Sequence, residues 1–165
     1  MLRWPVLGSN GVRPKGMPGS WPQHEFPNLT DQNCDVTGPR TRRYNCIAWA
    51  AGNSTRKWWP DPMGVGYWPA GVNRADTTEA FLRAYGSLGY VLCFDGTLET
   101  GLEKIALCGK GPAGSEVPTH AALQLETGEW TSKLGDFEDI THATTHDVES
   151  HLYGRVICYL ARRRP

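Results

Sequence analysis

Two periodicities organise the second half of the chain. Phe81, Tyr85 and Leu88 recur at helical spacing behind Asp76-Thr77-Thr78-Glu79. A Thr or Asp cap with Glu in the first turn satisfies amide donors that would otherwise be free, so a helix is predicted from here to Gly89. Short apolar runs then mark strands over residues 90–94, 104–108, 119–125, 129–134 and 155–160. Glu126-Thr127-Gly128-Glu129, with Gly in the turn, signals a hairpin between the third and fourth of these. If Thr127-Gly128 is a two-residue turn, Leu123 faces Ser132 and Ala121 faces Leu134, and His120 shares the other face with Lys133. A loop one residue longer moves Ser132 and Asp136 to the His120 face instead. Residues 145–152 are predicted as a short helix.

Upstream, Arg43-Tyr44-Asn45-Cys46-Ile47-Ala48-Trp49-Ala50-Ala51-Gly52 has a good N-cap in Asn45, an Ala-rich body and a stop at Gly52. Cys46 therefore falls in the first turn of a helix. Residues 56–74 form a long connection carrying Trp58, Trp59, Tyr67 and Trp68, and loops of such length within a domain are often functional. Residues 1–42 show neither period. Their density of Gly, Pro and Asn, from Gly8 through Pro14, Pro18, Pro22 and Pro27, reads as an irregular arm anchored at Trp21, Phe26 and Leu29. The expected division is an arm over 1–42 and one α+β domain over 43–165.

Composition narrows the class. With 39% hydrophobic and 21% charged residues the 165-residue chain suits a single globular domain. Seventeen Lys+Arg against seventeen Asp+Glu leave no basic stripe for tracking phosphates, so no nucleic-acid partner is expected. No segment approaches the roughly 20 apolar residues of a membrane-spanning helix. The cysteines at 34, 46, 93, 108 and 158 form no C-x-x-C pair, and their odd number leaves a free thiol. The expected location is cytoplasmic, or outside the cell by a route that needs no cleaved signal peptide.

The chemistry-bearing pair is Cys46 and His120. A thiolate is favoured at a helix N-terminus, where amide donors and the dipole lower its pKa, and an imidazole on a separate strand can take and return the proton. No cofactor or metal is called for: His142 and His146 stand four apart, but no acidic or thiol partner completes a ligand set.

A Cys at a helix start, followed by antiparallel strands with His at the head of one, resembles the papain-like cysteine-hydrolase superfamily, especially its compact bacterial peptidoglycan-hydrolase and CHAP-type branches. Tyr44-Asn45-Cys46-Ile47-Ala48-Trp49-Ala50, Thr119-His120-Ala121-Ala122 and Trp130-Thr131-Ser132-Lys133-Leu134-Gly135 also resemble signature segments of a family of uncharacterised bacterial proteins, over roughly residues 43 to 162. The resemblance implies an α+β fold in which the Cys helix packs on the His sheet, and a thiol peptidase or amidase acting on cell-wall peptide or protein. It also implies a third residue orienting His120. Ser132, Asp136 and Asp139 compete for that role, and Asp136 is preferred because a carboxylate fixes the tautomer and stabilises imidazolium. The oxyanion donors would be the Cys46 amide and a side-chain amide from Gln32, Asn33 or Asn45. Asn45, Trp58, Trp59 and Trp68 are the candidate substrate contacts. The competing expectation is a non-catalytic module that engages a protein partner through the aromatic loop, or a toxin or deamidase on the same scaffold.

Overall fold

Seven strands join in one antiparallel sheet, the five that the apolar runs mark and two more. The computed structural model describes residues 19–165. In chain order it places β1 at Cys34–Gly38, α1 at Cys46–Ala50, α2 at Thr78–Gly86, β2 at Val91–Cys93, β3 at Leu102–Lys110 and β4 at Val117–Gln124. β5 at Trp130–Lys133, β6 at Asp139–His142, a 3-10 turn at Thr145–Val148 and β7 at Arg155–Arg163 complete it. The strand order is β1-β6-β5-β4-β3-β7-β2, and every ladder is antiparallel. No helix among the described residues is long and apolar enough to cross a membrane.

This architecture overturns the expected papain-like α+β fold. The molecule is mostly sheet, and its helices run to only 5 and 9 residues. α1 stops early for a local reason. Gly52 takes φ 75°, and the amides of Gly52 and Asn53 turn back to the carbonyls of Trp49 and Ala48, closing the helix after little more than one turn. The arm, read as irregular, instead supplies β1, which pairs with β6 from Cys34↔His142 to Gly38↔Asp139. Its anchors behave as expected: Phe26 and Leu29 are buried, and Trp21 packs against their cluster. The earlier part of the arm, including Gly8, Pro14 and Pro18, lies outside the described residues.

The β4–β5 hairpin sets the register that matters for the site. Gly128 adopts φ 91°, and the Leu125 amide donates to the Glu129 carbonyl at 2.8 Å, so the loop holds three residues rather than two. Leu123 therefore faces Thr131 instead of Ser132. Because side chains alternate along a strand, this one-residue difference moves Lys133 off the His120 face and brings Ser132 onto it.

Both faces of the sheet are covered. On one, Ile105, Leu107, Ala121 and Leu160 pack against Ile47, Ala48 and Ala50 of α1, Phe81, Ala84 and Tyr85 of α2, and Trp58 and Trp68. On the other lie Phe26, Leu29, Leu134, Ile140, Val148 and Tyr153, with Ala106, Ala122 and Trp130 beside them. Thr77 caps α2 by accepting from the Ala80 amide, as its sequence predicts. The segment expected as a helix over residues 145–152 is only the 3-10 turn.

Candidate active site

Asn45 fixes the start of α1. Its Oδ1 accepts from the Ala48 amide at 3.2 Å and the Trp58 amide at 3.1 Å, while its Nδ2 donates to the Trp58 carbonyl at 2.8 Å. Further along α1, Trp49 Nε1 donates to Thr131 Oγ1 on β5 at 3.0 Å. Helix and sheet are thus tied at both strands that flank the sulfur. The β4–β5 ladder contains only Leu123↔Thr131 and Gln124↔Trp130, so earlier residues of β4 are unpaired on that side. Cys46 fills the opening, and its thiol donates to the Thr119 carbonyl at 3.8 Å.

Backbone amides of Ala121, Ile47 and Cys46 act on the sulfur in the direction that favours thiolate, with a further contribution from the Lys133 ammonium. Burial outweighs them and pushes the thiol up to about 11. None of the side-chain amides expected as oxyanion donors is free at the sulfur. Asn45 is committed to Trp58, Asn33 Nδ2 is committed to Asn28 and Asp147, and Gln32 is exposed.

His120 is fully buried, and its ring stacks on Tyr153 with centroids 4.0 Å apart and planes 12° apart. Its Nε2 lies 3.0 Å from Ser132 Oγ, which lies 2.8 Å from His142 Nε2, and His142 Nδ1 lies 2.8 Å from the Thr144 carbonyl. The last contact fixes the direction of the whole chain, because a carbonyl only accepts. His142 must carry its proton on Nδ1, so its Nε2 accepts from the Ser132 hydroxyl, and Ser132 in turn accepts from His120 Nε2–H. His120 is left with its lone pair on Nδ1, and that atom is buried without a hydrogen-bond partner. Burial, reinforced by His142, lowers the His120 pKa to about 3; burial also lowers that of His142, against the opposing Thr144 carbonyl and Asp147. Both rings are neutral at pH 7.

The expected residues separate into those that meet and those that do not. Cys46 reaches the backbone just before His120, its thiol touching the Thr119 carbonyl, but the sulfur makes no hydrogen bond to the His120 ring, which turns to Ser132 and Tyr153. Asp136 does not join them: it sits on the surface in ion pairs with Arg42 at 3.1 Å and Lys57 at 3.5 Å. Asp139 accepts from Tyr44 Oη at 2.5 Å. Ser132 is the residue that orients His120, a consequence of the three-residue hairpin loop. Trp58 and Trp68 are core residues, each 5% exposed, and Trp59 packs edge-on against Phe81. Asn45 is a structural clamp. The aromatic-loop docking expectation loses two of its anchors in this way.

His142 is the member that sequence reading missed. The sequence offered it only as one of two histidines four apart, whereas it is buried at the end of β6 and His146 is exposed against Glu149. The available signal was the alternation of Ile140 and His142 against Asp139 and Thr141, too short a run to separate from a loop.

The described residues thus set a buried Cys at the start of a short helix, and a His120–Ser132–His142 chain, on one antiparallel seven-stranded sheet. The chain belongs to the family described as a domain of unknown function (DUF7689), which matches residues 35–161 and so takes in all of β1 but Cys34, together with Cys46, His120, Ser132 and His142. No curated protein and no solved structure matches the chain.

Proposed function

We propose that the protein is a thiol hydrolase or acyltransferase acting on an amide bond of a peptide or protein, with Cys46 as nucleophile and His120 as general base. The observation that carries this reading is the unpartnered lone pair on His120 Nδ1, held in one tautomer beside the peptide that Cys46 touches. A buried acceptor without a partner costs about 1–3 kcal/mol, and such a cost is more readily understood at a working site than in a packed interior.

Burial also selects the mechanism. With the thiol near 11 and the imidazole near 3, the resting pair is neutral rather than a thiolate and an imidazolium. In the resting structure the sulfur does not contact His120 Nδ1, so the thiol and imidazole must first move into hydrogen-bond reach; the thiol proton then passes to Nδ1 as the sulfur attacks the carbonyl carbon of the substrate. The resulting oxyanion is received by the amides of Cys46 and Ala121. Imidazolium then gives its proton to the leaving amine, the carbon–nitrogen bond breaks, and the acyl group remains on Cys46 as a thioester. Water or an acceptor amine resolves it, with His120 again taking and returning one proton.

The test is acylation by a p-nitrophenyl ester, located by mass spectrometry in a chain whose Cys34, Cys93 and Cys158 are replaced by Ser. The expected result is a single adduct on Cys46 that forms about 10²–10⁴-fold more slowly in His120→Gln. An equal rate in His120→Gln, or acylation of Cys108 in place of Cys46, overturns the proposal.

A further inference from the structure

The loop that Asn45 clamps to α1 builds a groove. It is an open depression of about 890 Å³ whose floor includes Trp59, Tyr67 and Trp68. Its frame is firm: the Trp59 amide donates to the Tyr67 carbonyl at 3.0 Å, the Tyr67 amide donates to the Lys57 carbonyl at 2.9 Å, and Arg74 donates to the carbonyls of Trp59, Asp61 and Gly66. Arg43, Arg56, Lys57 and Arg74 line it, with Asp61 as the sole carboxylate.

The charges do not cancel. Lys57 is paired with Asp136, and Arg74 with Asp61 at 3.6 Å. The Asp61 carboxylate is further occupied by the amides of Val65 at 2.9 Å and Gly66 at 2.7 Å, which hold its pKa below the usual carboxylate range. Arg43 and Arg56 have no acidic partner among the described residues, and residues 1–18 contain no Asp or Glu to supply one. The Arg56 guanidinium lies 3.6 Å over the Tyr67 ring, which sets its plane and leaves its edge donors free for a carboxylate. Met63 and Val65, 87% and 91% exposed, add aliphatic surface at the lip.

We propose that this groove binds an acidic, extended peptide, its carboxylates on Arg43 and Arg56 and its aliphatic side chains against Met63 and Val65. The groove lies near the start of α1: Arg43 in its lining is three residues before Cys46, and Asn45, immediately before Cys46, is hydrogen-bonded to Trp58, the neighbour of the lining residue Trp59. That the bound peptide is the acyl substrate of Cys46 rests on the hydrolase reading; that the groove holds it does not. A nucleic acid fits less well. Two free cations make no continuous track for phosphates, and the Arg56 guanidinium already occupies one face of Tyr67 at 3.6 Å, where a base would stack.

The experiment titrates the full chain carrying Cys46→Ala, which binds without turnover, and follows tryptophan fluorescence. The probes are a short Glu/Ala peptide, its Gln/Ala counterpart and oligothymidylate. The expected result is saturable binding of the Glu/Ala peptide that weakens about tenfold in Arg43→Gln and in Arg56→Gln, and is unaffected by Arg83→Gln on α2. Arg56→Lys, which keeps the charge but not the fork, should recover only part of the loss. Equal affinity for the Gln/Ala peptide, tighter binding of oligothymidylate, or unchanged binding in both Arg→Gln variants overturns the proposal. Because the titration contains no nucleophile, its failure leaves the acylation of Cys46 standing, and failure of acylation leaves the groove standing.

Discussion

Replacing Ser132 by Ala deletes one oxygen that serves two imidazoles. Ser132 is fully buried, as is His120, and His142 is 1% exposed, so neither ring can turn to solvent for a substitute partner. The His120 Nε2–H loses its acceptor and His142 Nε2 loses its donor. At about 1–3 kcal/mol for each orphaned group, the variant should lose on the order of 2–6 kcal/mol of unfolding free energy. For a domain whose whole stability is about 5–15 kcal/mol this is a large fraction, and it corresponds to a fall in Tm on the order of 10 °C. Urea denaturation followed by tryptophan fluorescence measures it directly, since Trp130 lies on the same face of the sheet. A double-mutant cycle with His142→Leu separates the bridge from simple packing: once one end is gone, the hydroxyl is worth less, so a coupling of about 1 kcal/mol or more is expected. A loss below about 0.5 kcal/mol, the scale of an ordinary surface change, or strict additivity with His142→Leu would refute the directed chain.

Stability should rise with pH across the acid range, because the unfolded histidines bind protons near 6.5 while His120 in the folded protein resists until about 3. As pH falls below 6.5 each buried ring contributes a loss of up to about 1.4 kcal/mol per unit, so the stability difference between the protein and His120→Gln should shrink toward pH 4 and be flat above pH 7. Asn45→Ala removes the cap of α1 and both bonds to Trp58, and should cost about 2–3 kcal/mol by the same denaturation assay. Iodoacetamide at neutral pH should label the half-buried Cys93 and Cys158 before Cys46, and labelling of Cys46 should climb steadily with pH without an inflection below 8, as its thiol near 11 requires.

The strands and helices with strong local signals were legible in advance. Thr77 caps α2, Gly52 ends α1, and β2, β3, β4, β5 and β7 fall where their apolar runs lie. β1 and β6 escaped because Cys34-Asp35-Val36-Thr37-Gly38 and Asp139-Ile140-Thr141-His142 are short and polar, and acquire their strand geometry only by pairing with each other and with β5. The expectation of a helix-on-sheet fold failed with them, since two extra strands and an early helix stop turn the balance toward sheet. At the candidate site, the placement of Cys46 in the first turn of α1 and of His120 on β4 could be read from local context. The partner of His120 could not, because it depended on whether Gly128 closed a loop of two residues or three, and a carboxylate at Asp136 was the better choice only on chemistry. Tertiary surroundings assigned Asp136 to Arg42 and Lys57 instead.

The sheet lies between the two halves of the candidate site. Cys46 and the groove belong to the α1 side, while Ser132, His142 and Tyr153 belong to the other, and only the edge of β4 is common to both. The backbone is therefore a partition as well as a scaffold. Substitutions in the lining of the groove leave the tautomer of His120 undisturbed, and substitutions in the imidazole chain leave that lining in place. The two proposals, binding in the groove and chemistry at Cys46, can therefore be probed by substitution one at a time.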